Sequence, residues 1–122
     1  MRRGAVVAAA AGFALALPIA AQAMTVAEFL GKAEALQARG FTAMFSSDIG
    51  LLKAEIKSAS TAYRADVDAG RPPRSCPPPK GTVKTSSDEL LAAFRTLPVA
   101  ERTRLSVRSA FANYMVKRFP CR

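Results

Sequence analysis

The chain has 122 residues, half of them hydrophobic, and 18 Lys and Arg set against 9 Asp and Glu give it a formal charge of +9. That length supports one domain with a modest core. Histidine is absent from the sequence, which excludes Ser-His-Asp triads, Cys-His pairs and the ordinary His-containing metal site.

Met1-Arg2-Arg3 leads into an uncharged run from Gly4 to Leu17, Pro18 interrupts it, and Ala21-Gln22-Ala23 has the small-x-small pattern of a signal peptidase site. Cationic, apolar and cleavage regions in that order predict a cleavable secretory signal over residues 1–23 and a periplasmic protein. The apolar run falls short of the roughly 20 residues that cross a bilayer, so no transmembrane span is expected. One domain is then expected over 24–122, and loss of Arg2 and Arg3 lowers its formal charge from +9 to +7. A basic surface favours anionic partners. Export removes nucleic acid and leaves cell-wall polymer, lipid head groups or an acidic protein; solubility alone is the plain alternative.

The first helix is predicted over Thr25 to Arg39. Thr25 and Glu28 form a T-x-x-E capping box, while Val26, Phe29, Leu30, Ala33 and Leu36 recur at the helical period and Gly40 supplies the stop. Phe41 to Ser46 reads as a short connection. A longer helix follows from Ser46 or Ser47 to about Asp68, its apolar face made by Ile49, Leu52, Ile56, Tyr63 and Val67, and Gly70 and Pro72 end it. Gly50 weakens the first turn, which is expected to be irregular.

Ala69 to Thr85 carries five prolines, two glycines and Cys76. Proline at that density excludes helix and favours extended backbone. The segment reads as a stapled loop, with a peptide ligand for an aromatic groove as the alternative. Ser86-Ser87-Asp88-Glu89 is a second capping box opening a short helix with Leu90, Leu91, Phe94 and Leu97 on the core side. Pro98 ends that helix, and a final helix is predicted from about Val99 to Arg118, with Val107, Ala110, Phe111, Tyr114 and Met115 on one side. The fold class is all-α, a small four- or five-helix bundle or array.

Cys76 and Cys121 are the only cysteines, and in an oxidising compartment an even pair predicts a disulfide. A free catalytic thiol would want a neighbouring base, which a chain without histidine does not supply. No glycine-rich phosphate loop or calcium loop is present, and no cofactor is expected. The carboxylate pairs Asp66 with Asp68 and Asp88 with Glu89 each have a plain explanation. The first two do not share a helical face, and the second two suit a helix N-terminus. The chain therefore reads as a binder and not an enzyme. Its candidate contact surfaces are Pro77, Pro78 and Pro79 in the loop and the basic residues Arg102, Arg104, Arg108, Lys117, Arg118 and Arg122, for which a solvated helix face is the alternative.

From Cys76-Pro77 through the capped helix with Leu90 and Leu91, Pro98, Ala110 and the ending Phe119-Pro120-Cys121, the order of marks resembles the Rap/Tai family. These are periplasmic immunity proteins that protect bacteria against type VI secreted peptidoglycan amidases. The resemblance covers roughly the C-terminal half of the domain. It implies a small all-helical periplasmic protein, usually a homodimer, that occludes the cleft of a wall-degrading amidase without performing chemistry. A cationic envelope-binding or structural protein, and a chaperone-like periplasmic factor, are the other classes compatible with the residues.

Overall fold

Among the described residues, hydroxyl side chains start four of the five helices. The computed structural model describes residues 23–122, so the expected signal over residues 1–23 lies, Ala23 apart, outside the described residues. The helices are α1 (Val26–Arg39), α2 (Ser47–Asp68), α3 (Ser87–Arg95), α4 (Val99–Arg102) and α5 (Val107–Arg118), with a 3-10 turn at Gly40–Phe45. Thr25, Ser46, Ser86 and Ser106 are the N-caps of α1, α2, α3 and α5, each accepting a backbone N–H from the first turn of its helix. The Ser86 box is reciprocal, because Glu89 also accepts from the Ser86 N–H at 3.3 Å. The Thr25 box is only half made: Thr25 Oγ1 accepts from Glu28 N at 3.1 Å, and no return bond from the Glu28 carboxylate accompanies it.

Two further expectations are corrected. The final helix is not continuous from Val99 to Arg118, since Thr103 to Ser106 interrupt it. The cause is tertiary. Val26 N–H donates to the Leu105 carbonyl at 2.9 Å and Val107 N–H to the Met24 carbonyl at 2.8 Å, while Thr25 and Ser106 pair in an isolated antiparallel bridge. Those bonds take backbone groups that an unbroken helix would use internally. The first turn of α2 is regular despite Gly50, which sits exposed in helix. Phe41 to Ser46, read as a connection, is mostly the 3-10 turn. It is reached through Gly40 at φ 58°, a left-handed conformation that glycine adopts without steric cost.

The all-α array closed by one disulfide is as the sequence predicts. Its core combines Val26, Phe29, Leu30 and Ala33 of α1, Ala59 and Tyr63 of α2, Leu90, Leu91 and Phe94 of α3, and Val107, Ala110, Phe111 and Met115 of α5. The α2–α5 pair is the most extensive helix contact. Tyr63 and Phe111 meet edge to face across it with ring centroids 6.1 Å apart, and Phe29 and Phe94 do the same between α1 and α3 at 5.6 Å. No helix among the described residues is long and apolar enough to cross a membrane.

Candidate functional site

The proline-rich segment is fastened to the end of α5. Cys76 and Cys121 are bonded, with Cα atoms 4.9 Å apart. Beside the disulfide, Cys76 N–H donates to the Phe119 carbonyl at 2.8 Å and Ser75 pairs with Pro120 in an isolated bridge. Ser75 Oγ lies 2.6 Å from the Tyr63 hydroxyl and 3.0 Å from the Phe119 carbonyl. A serine hydroxyl has a single proton. Because the carbonyl can only accept, Ser75 donates to Phe119 and Tyr63 donates to Ser75. A cavity of about 60 Å³ adjoins this node, lined by Tyr63, Val67, Ser75, Ala112 and Val116 among others. Arg64 donates to the Pro78 carbonyl at 3.1 Å. Pro77 and Pro78 are half-buried and Pro79 is exposed, so the segment is a stapled loop that offers Pro79 most freely.

The basic residues of the C-terminal third do not form one face. Arg102 is half-buried and donates through Nε to the Leu97 carbonyl at 2.9 Å and through its terminal nitrogen to the Arg95 carbonyl. It thus satisfies carbonyls left open where α3 ends. Arg118 lies over the Phe119 ring at 5.1 Å and reaches Thr85 at 2.8 Å and Glu89 at 3.6 Å. Arg108 is exposed and donates to Ser58 of α2 at 3.1 Å. Lys117 is placed roughly half a turn round α5 from Arg108. Arg104, Lys117 and Arg122 are exposed. Of Arg102, Arg104 and Arg108, the last two are therefore open to a partner and Arg102 is occupied by the fold.

The carboxylate pairs are spread over separate tasks. Asp66 accepts from Arg71 at 3.0 Å, Asp88 and Glu89 occupy the first turn of α3, and Glu89 also caps Ser86 and faces Arg118. Among the described residues no cluster of three His, Cys, Asp or Glu side chains could hold a metal ion.

A surface that the sequence reading passed over is the 3-10 turn. Phe41, Met44 and Phe45 are 80%, 70% and 85% exposed, while Ala43 is buried and anchors the turn. Residues three apart eclipse in a 3-10 helix, so Phe41 and Met44 lie one above the other with Phe45 beside them. Three large apolar side chains within five residues, next to a helix stop, were the available signal. The turn is held at both ends by the Gly40 cap of α1 and the Ser46 cap of α2. The chain matches no family model, no curated protein and no solved structure.

Proposed function

We propose that this protein is a periplasmic binding protein of the immunity type, which blocks a secreted peptidoglycan amidase by covering its cleft and carries out no chemistry itself. The observation that supports the reading is the apolar shelf of Phe41, Met44 and Phe45. Burying such side chains is worth about 1.5–3 kcal/mol each, and an exposed apolar cluster of this kind marks an interaction site in a folded protein. Aromatic residues and methionine are enriched at the centres of protein interfaces. The shelf is fixed between two capped helices, which lowers the ordering cost of binding. The Cys76-Pro77 and Phe119-Pro120-Cys121 marks, whose order resembles that of the Rap/Tai immunity family, supply the choice of partner.

The test mixes the purified protein with the amidase encoded beside its gene. The expected result is a stable complex, inhibited peptidoglycan cleavage, and loss of both in a Phe41→Ser/Phe45→Ser variant that keeps its melting temperature. Sedimentation of the free protein tests the homodimer that the family resemblance implies. No complex with the neighbouring amidase, combined with salt-sensitive retention on peptidoglycan or anionic vesicles, would favour the cationic envelope-binding alternative.

A further inference from the structure

We propose that the cleft between α1, α2, α3 and α5 binds a single-chain amphiphilic anion, an alkyl chain of about ten to twelve carbons bearing a carboxylate or phosphate head. This site is separate from the shelf, and the proposal is independent of the immunity reading. The cleft has a volume of about 550 Å³, within the range of small-molecule sites. Its floor is Phe29, Leu90, Leu91 and Phe111, and its α2 wall is Leu52 and Ile56. A hydrophilic anion alone would leave that floor unused. From Leu52 to Thr61 the α2 side of the cleft runs about 13 Å at 1.5 Å per helical residue, apolar at Leu52 and Ile56 and polar at Ser60 and Thr61, and that total length sets the size of the ligand named above.

The mouth has the opposite character. Lys53 and Lys57 of α2 and Lys80 of the proline-rich loop line it, together with Thr85, Ser86 and Ser87. Lys53 and Lys57 are four apart on one helix, an arrangement in which like charges repel. Among the described residues none of the three lysines is paired with a carboxylate, whereas Lys32 holds Asp48 and Arg118 holds Glu89. Glu55, Asp88 and Glu89 are not part of the lining. Apolar floor and uncompensated cationic mouth fit one molecule only if it is apolar along its length and anionic at one end. An alkane would leave the lysines without a counter-charge, and a cationic detergent would meet repulsion.

The experiment titrates dodecanoate, below its micelle concentration, into the purified protein by calorimetry and follows isoleucine methyl signals by NMR. Saturable binding with movement of the Ile56 methyls and little change at Ile49, which does not line the cleft, is expected. Affinity should fall about fourfold for each methylene removed. Dodecyltrimethylammonium, with the same tail and opposite head, should bind at least ~10-fold more weakly. Lys53→Glu/Lys57→Glu should reverse that preference, and Ser60→Leu, which fills the cleft, should weaken dodecanoate at least ~10-fold without lowering the melting temperature. Dodecyl phosphate run in parallel distinguishes the two heads. Absence of binding, hexanoate binding as tightly as dodecanoate, or binding confined to phosphatidylglycerol vesicles with Ile56 unmoved would each overturn the proposal.

Discussion

The hydrogen-bonded node under the disulfide predicts an unusual order of stabilities. Tyr63→Phe removes one neutral hydrogen bond but leaves Ser75 donating to the Phe119 carbonyl, so the cost is about 1 kcal/mol. Ser75→Ala removes both of these bonds. The Phe119 carbonyl keeps its bond from Cys76 N–H, but the Tyr63 hydroxyl loses its partner on a side chain only 3% exposed. An orphaned buried donor adds about 1–3 kcal/mol to the loss of the two bonds, for a total of about 2–5 kcal/mol. In the double variant the orphan no longer exists, and the total returns to about 1–2 kcal/mol. Adding Tyr63→Phe to Ser75→Ala should therefore restore stability. Urea unfolding of the four oxidised proteins, compared at constant m, measures the cycle. Additive losses would refute the reasoning and would mean that water from the adjoining 60 Å³ cavity rescues the Tyr63 hydroxyl.

The remaining predictions concern the rest of the scaffold. Replacing Cys76 and Cys121 together by serine opens a loop with a sequence separation of 45 and should cost about 4 kcal/mol on the chain-entropy account, read as a lowered urea midpoint. Gly50→Ala should stabilise by up to about 1 kcal/mol, because the glycine is in helix and an added Cβ meets nothing within 4 Å; an unchanged or lower melting temperature would contradict this. Phe94→Ala, at a side chain 1% exposed and packed on Phe29, should cost about 3–5 kcal/mol in the same assay. Arg104→Glu/Arg108→Glu should slow association with the amidase proposed as its partner, most strongly at low salt, as followed by stopped-flow or surface binding.

Local chemistry made much of this fold readable. The Ser46 and Ser86 caps, the Gly40 stop and the apolar periodicity of α1 and α3 act within a few residues, so their boundaries follow from composition alone. The break at Thr103 to Ser106 was hidden because it is fixed by Met24 and Val26, far away in the chain. Ser106 caps α5 by accepting from Ser109 N–H, but nothing local decides that a helix should start there. Arg102 could not be distinguished from Arg104 for a similar reason: only the fold brings the Leu97 and Arg95 carbonyls to its guanidinium. The two surfaces now proposed to bind were least legible. Exposure of Phe41 and Phe45 depends on where neighbouring helices stop, and the cleft is built from parts of α1, α2, α3, α5 and the loop that share no sequence motif.

The tie between Met24 to Val26 and Leu105 to Val107 also sets when the molecule can finish folding. The partners that complete the N-terminal edge of α1 arrive roughly eighty residues later in the chain. A growing polypeptide can form α1 and α2 early, yet it cannot close the core until α5 is present, and the Cys76–Cys121 bond waits for a residue beyond α5. Completion thus waits for α5 and Cys121 together, and loss of Cys121 leaves the proline-rich loop without its covalent fastening.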